Sequence, residues 1–119
     1  MPKNPPVVEP ETLSAAFTLV FRQGRSPPSC PVPNDTDILN RILDAVPSAS
    51  PASGREALIR VRRLSFDAAE IGAAFREGQY GKGGDAKAAA IAELETQNSG
   101  FLEHEYLTAF AVGVMWAGL

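Results

Sequence analysis

All ten prolines of this chain lie between Pro2 and Pro51, whereas nine of its ten glycines lie from Gly54 onward. Proline fixes φ and biases the preceding residue away from the helical region. We therefore expect short helices separated by stiff, extended connectors in the first part of the chain. The second part is expected to be a more compact helical unit in which glycines mark the turns.

The composition is that of one globular domain. The chain has 119 residues, of which 45% are hydrophobic and 21% are charged, and a chain of this length buries roughly two-thirds of its unfolded surface. We predict an all-α fold of five or six short helices in one compact domain with a Pro-rich N-terminal half. Residues 1–8 are predicted to form a flexible arm, and residues 9–119 a single helical domain.

The first predicted helix begins near Pro10, which suits a first helical turn, and stops at Gly24. Apolar residues recur at helical spacing between these two positions. Residues 17–22 also have a strand-like composition. The alternative is therefore an α+β fold with a small strand pair formed by 17–22 and 58–64.

The second predicted helix is capped by Asn34 or Asp35 and ended by Pro47. Residues 26–33, which contain four prolines, are predicted to be the connector that precedes it. Residues 48–53 are small and polar and are predicted to be a second connector.

Two further helices are predicted in the middle of the chain. Apolar residues recur with a period near 3.6 from Leu58 to Phe75. The sequence Asp67-Ala68-Ala69-Glu70 inside this run fits a capping box, which starts a helix. We therefore predict helices over 55–64 and 68–77 with a break between them, and a single kinked helix is the alternative.

The glycines of residues 78–84 predict a flexible turn, after which Asp85 caps a helix that ends at residues 98–100. The last helix is predicted to start near Leu102, although a small polar residue is usual at a cap, so we expect a frayed or shifted start.

This last helix is apolar nearly all round, so it must be surrounded by other protein. The first interpretation is a central core helix. The alternative is an oligomer interface that includes Met115, Trp116 and Leu119.

The sequence offers few groups for catalysis. His104 is the only histidine and Cys30 is the only cysteine, so a histidine-rich zinc site cannot be assembled, and we expect neither a Ser-His-Asp nor a Cys-His arrangement. The turn around Gly81 and Lys82 lacks the spacing of a phosphate-binding loop. We expect no catalytic residues, no metal and no cofactor, and therefore not an enzyme.

A cluster of arginines is the strongest candidate for a binding surface. On a helical wheel Arg55, Arg62 and Arg63 surround Ile59, which faces away from the buried stripe of the same helix. An exposed isoleucine with arginines around it resembles the anchor and rim of a protein interface. Tyr80 and Lys82, in the glycine-rich turn, are predicted to be additional partner contacts.

These features favour a small, cytoplasmic, non-enzymatic protein-binding factor of the inhibitor, immunity or regulatory type. We expect its partner to be another protein with an acidic surface, and neither nucleic acid nor a membrane, since the net charge is −3. One alternative is a nucleic-acid-associated helical regulator that uses the arginines. The other is a self-assembling structural protein that associates through its last helix.

Overall fold

The computed structural model describes residues 8–23 and 35–117, and every regular element in these ranges is helical. The elements are α1 (Pro10–Thr18), a π-helical segment (Leu19–Gln23), α2 (Asp35–Ala45), α3 (Pro51–Arg76), α4 (Gly84–Gln97) and α5 (Glu103–Ala117). The all-α prediction is confirmed. The alternative with strands at 17–22 and 58–64 is wrong, because both segments are helical.

Several predicted features lie outside the described residues. These are most of the arm at 1–8, the stop at Gly24, the connector at 26–33 with Cys30, and Leu119. The chain divides into two compact units, Met1–Arg62 and Arg63–Leu119, which share helix α3. The single domain over residues 9–119 stays a prediction.

The first unit contains α1, the π-helical segment, α2 and the beginning of α3. Phe17 and Phe21 stack with their ring centroids 4.5 Å apart, which joins α1 to the π-helical segment. Helical spacing places these two rings one above the other, and both are buried. The buried apolar side chains of this unit are Leu13, Ala16, Phe17, Val20, Phe21, Ile38, Ile42, Val46, Ala57, Leu58 and Val61.

The second unit contains the rest of α3 together with α4 and α5. Phe75 of α3 meets Phe110 of α5 edge to face, with the ring centroids 5.1 Å apart. The buried alanines of α3, α4 and α5 allow these helices to pack closely. Its buried apolar side chains are Leu64, Ala68, Ile71, Ala86, Ala90, Leu94, Tyr106, Ala109, Phe110 and Val112.

Helices α3 and α5 lie backbone against backbone at two glycines. A Cβ atom on Gly72 would lie 2.5 Å from the carbonyl carbon of Gly113, and a Cβ atom on Gly113 would lie 2.1 Å from the carbonyl oxygen of Ala68. Glycine inside a helix costs about 1 kcal/mol relative to alanine. At this crossing the two backbones lie so close together that a side chain at either position would clash. This close packing is the physical reason for both glycines.

The predicted break at residues 65–67 is wrong, because α3 runs without interruption from Pro51 to Arg76. The capping-box sequence is not used as a helix start. Asp67 accepts a hydrogen bond from Nδ2 of Asn98 at 2.9 Å instead of capping its own helix. The apolar repeat continues through this point, with Leu64, Ala68 and Ile71 all buried. Burial of one continuous stripe therefore outweighs the local capping signal.

Helix α3 also begins earlier than predicted, because residues 51–53 of the expected connector are helical. The Oγ atom of Ser50 accepts a hydrogen bond from the backbone N–H of Ser53 at 3.1 Å, as an N-cap serine does. Pro51 follows at the first helical position, where its missing N–H costs nothing. Ser50 and Pro51, which fall within the predicted connector, are thus the start signal of the helix.

The start of α4 differs from its prediction, whereas the start of α5 agrees with the predicted position near Leu102. Gly83 is the N-cap of α4, and Asp85 lies in the first turn, where its charge favours the helix dipole, and not at the cap as predicted. Helix α5 starts at Glu103 directly after Leu102, without a shifted boundary. The N–H of Leu102 donates to Oε1 of Glu105 at 2.8 Å, which is half of a capping box.

A buried polar network joins the three helices of the second unit at the loop between α4 and α5. Asn98, the C-cap of α4, bonds Asp67 of α3 and accepts a hydrogen bond from the hydroxyl of Tyr106 through its carbonyl oxygen. The same hydroxyl accepts from the N–H of Phe101 at 3.2 Å. Burial raises the pKa of Tyr106, although the bond from Phe101 opposes this effect.

Candidate functional site: a groove between α2 and α3

Three of the residues predicted to bind a partner line one groove of the first unit. The groove lies between α2 and α3 and encloses about 380 Å³. Its lining residues are Thr36 and Leu39 from α2, and Arg55, Leu58, Ile59 and Arg62 from α3. The structure therefore brings Arg55, Ile59 and Arg62 together, as the helical wheel indicated.

The groove has an apolar centre that is open to solvent. Leu58 is buried and Leu39 is half-buried, so they form the inner surface, whereas Ile59 is 55% exposed. Leu58, Val61 and Leu64 lie on the buried side of α3, so Ile59 faces away from the stripe that builds the core. Its exposure agrees with the sequence analysis, while its role in binding stays a prediction.

Positive charge borders this apolar centre. Arg55 is exposed and Arg62 is half-buried. In the part of the chain that the structure describes, no hydrogen bond or ion pair engages the guanidinium of Arg55. By contrast, Nε of Arg60, which does not line the groove, lies 3.5 Å from a carboxylate oxygen of Glu56 one turn away. The guanidinium of Arg55 is therefore available to an anionic group of a ligand.

The contribution of α2 to the groove was not predicted. A Cβ atom on Gly54 would lie 2.9 Å from Cδ1 of Leu39 and 3.2 Å from Cδ2 of Leu43. Gly54 thus allows the first turn of α3 to approach α2 and places Leu39 beside the arginines. The prediction missed this contact because it placed the start of the helix at residue 55, after Gly54, whereas α3 begins at Pro51.

The remaining predicted contact residues do not line the groove. Arg63 is exposed and belongs to the second unit. Tyr80 is half-buried, and its hydroxyl donates a hydrogen bond to Glu93 of α4, while Lys82 is exposed. Desolvation, followed by this bond and the charge of Glu93, raises the pKa of Tyr80 to about 12. Tyr80 therefore anchors the glycine-rich turn to α4.

A central core helix would be surrounded on all sides, whereas α5 has one side exposed. Leu107 and Met115 are 43% and 49% exposed, and Ala111 between them is exposed as well. Of the residues predicted to form an oligomer interface, Met115 is exposed, Trp116 is half-buried, and Leu119 lies outside the described residues.

Comparison with protein-family models, with curated proteins and with solved structures finds no match for this chain. Within residues 8–23 and 35–117, no three His, Cys, Asp or Glu side chains are grouped so that they could hold a metal ion. His104 is exposed in the first turn of α5. None of the helices described combines the length and the hydropathy that crossing a bilayer requires.

Proposed function

We propose that this chain is a small, cytoplasmic protein-binding factor of the inhibitor, immunity or regulatory type, and that its binding site is the groove between α2 and α3. The observation that carries the proposal is the convergence of an exposed isoleucine, two further apolar side chains and two arginines on one open groove. The chain acts by covering a surface of its partner and performs no chemical step.

The apolar centre supplies the affinity in this proposal. Ile59 is the most accessible large apolar residue of the groove, and Leu39 and Leu58 lie beside it. A partner side chain that packs against all three buries apolar surface, and each Å² removed from water stabilises the complex by about 25 cal/mol. Anchors of this kind contribute about 2 kcal/mol or more to binding, which corresponds to roughly 30-fold in Kd.

The arginines orient the partner segment and increase its rate of association with the groove in this proposal. Arg55 and Arg62 flank the apolar centre, so the matching partner segment carries Asp or Glu beside a large apolar side chain. Arginine binds carboxylates in a two-pronged geometry and is frequent at interface hot spots. We therefore infer an acidic protein segment, most simply a helix laid in the groove with one apolar anchor.

A selection experiment tests this chemistry without knowledge of the natural partner. A peptide display library is selected on the immobilised full chain, and only peptides that bind the support alone are removed. The selected peptides are expected to place Asp or Glu next to a large apolar residue. Their Kd should rise roughly 30-fold for Ile59→Asp, a change at an exposed position that leaves the fold intact.

The matched control is Leu102→Asp, which introduces the same side chain at an exposed leucine outside the groove. It should leave peptide binding unchanged. Peptides that bind wild type, Ile59→Asp and Leu102→Asp equally would contradict the proposed site. The chain is also tested with mixed-sequence DNA or RNA. Binding that weakens steeply with salt and is lost in Arg62→Glu and Arg63→Glu would replace the proposed protein-binding site with the nucleic-acid interpretation.

A further inference from the structure

One face of α5 carries an uncharged stripe that the second unit leaves exposed. Leu107, Ala111 and Met115 follow one another at intervals of four residues, so they lie on the same side of the helix. Leu107 is 43% exposed and Met115 is 49% exposed. The buried side chains of α5, which include Tyr106 and Phe110, lie on its other side. These three residues are called the α5 stripe.

The α5 stripe has the symmetry of a surface that binds its own copy. Ala111 lies at equal distance along the chain from Leu107 and Met115, and it is next to the midpoint of a helix that spans Glu103–Ala117. If two such helices pair in opposite directions about a twofold axis at Ala111, each Leu107 faces the Met115 of the other copy. The small alanine at the crossing allows the two helices to approach closely.

The charges of α5 favour this opposite orientation. Glu103 is exposed in the first turn, whereas Glu105 is buried and bonded to the N–H of Leu102, and no charged residue follows between Tyr106 and Ala117. A parallel pair would bring the acidic first turns of both copies together, which is unfavourable. An antiparallel pair places each acidic turn beside the uncharged end of the other helix. A charged partner, by contrast, would find no opposite charge along the stripe.

We propose that the α5 stripe is the interface of a homodimer in which two α5 helices pack antiparallel about a twofold axis at Ala111. Such an isologous contact is the usual way in which identical chains associate. Three partly exposed side chains per copy bury a small area compared with the roughly 800 Å² per partner of a standard interface. The dimer is therefore expected to dissociate on dilution. This inference is independent of the groove between α2 and α3.

Sedimentation analysis of the full chain over a wide concentration range tests the association. The average mass is expected to rise from the 12.6 kDa of one chain towards twice that value as the concentration increases. Ala111→Glu places two like charges at the axis and should hold the mass at that of one chain. Ala89→Glu makes the same change at an exposed alanine of α4 and should leave the association unchanged.

Cysteine cross-linking in a Cys30→Ser background tests the orientation. Ala111→Cys should form a disulfide-linked dimer on oxidation. An equal mixture of Leu107→Cys and Met115→Cys should form far more of the mixed dimer than the twofold excess over each homodimer that random pairing gives, because these positions face each other only in the antiparallel pair. A wild-type mass that stays at one chain at every concentration would overturn the proposal. So would cross-linking of Leu107→Cys mainly to itself.

Discussion

The substitution Gly113→Ala tests the closest helix contact in the second unit. The added Cβ atom would lie 2.1 Å from the carbonyl oxygen and 2.5 Å from the carbonyl carbon of Ala68. A relaxed contact between carbon and a carbonyl oxygen is about 3.3 Å or longer. Helices α3 and α5 must therefore separate by about 1 Å, because both atoms belong to backbone that cannot rotate away.

The size of the effect follows from two opposing terms. Overpacking of a well-packed core costs about 1–3 kcal/mol, and a clash against backbone belongs at the upper end. Replacing a helical glycine by alanine returns about 1 kcal/mol. We expect a net loss of about 2 kcal/mol in the free energy of unfolding. For a chain of this size, that loss lowers Tm by about 8 °C.

The assay is chemical and thermal unfolding followed by circular dichroism, with Gly84→Ala as the control. Gly84 is also helical, but a Cβ atom there would meet nothing within 4 Å. This control should raise the free energy of unfolding by about 0.5 kcal/mol, because alanine loses less backbone entropy on folding. Equal, small effects of Gly113→Ala and Gly84→Ala would refute the close approach of α3 and α5.

Three further predictions concern stability, titration and salt. Ser50→Ala removes the acceptor for the N–H of Ser53 and should lower the free energy of unfolding by about 1 kcal/mol in urea. Tyr80 titrates at about 12 and Tyr106 above its ordinary value in the folded chain, so both tyrosinates should appear at lower pH, near 10, in denaturant, as ultraviolet absorbance would record. Since both folded pKa values are raised, their stabilising contribution is complete below pH 10 and is lost as the pH rises above 10, for Tyr80 towards 12. A stability that increases as the pH rises above 10 would contradict this expectation. Arg55→Glu should slow association with an acidic peptide and remove most of its salt dependence, whereas equal effects of Arg55→Glu and Arg76→Glu would exclude local steering.

The fold was largely predictable because helical periodicity and local punctuation act over short distances. Pro47 and the glycines near residues 81 and 100 end or separate helices by their own backbone preferences. The break expected at Asp67 failed for a different reason. Its capping side chain bonds Asn98, which is distant in sequence, and no local pattern shows that such a partner is present.

The candidate site was predictable only on one side. Helical spacing alone places Arg55, Ile59 and Arg62 on one face of α3, so the helical wheel found them. Leu39 enters the groove because α2 packs against Gly54, and this pairing is a tertiary contact. The crossing at Gly72 and Gly113 was missed for the same reason, although isolated glycines inside helices are a signal of close packing.

The stripe on α5 shows a further limit of sequence patterns. A helix that is apolar all round indicates that it must be covered, but the pattern does not say which side its own unit covers. The structure buries the side with Tyr106 and Phe110 and leaves Leu107, Ala111 and Met115 exposed. The exposed apolar side chains of α5 therefore extend along the middle of the helix, whereas the sequence analysis had looked for them at its end, near Trp116.

We propose that the chain binds an acidic protein segment through Ile59 and its neighbours. The most direct measurement is the Kd of a partner captured from cells of the native source and then purified, determined in parallel for wild type, Ile59→Asp and Leu102→Asp. Binding is expected to weaken roughly 30-fold for Ile59→Asp and to be unchanged for Leu102→Asp. Equal dissociation constants for the three proteins would contradict it.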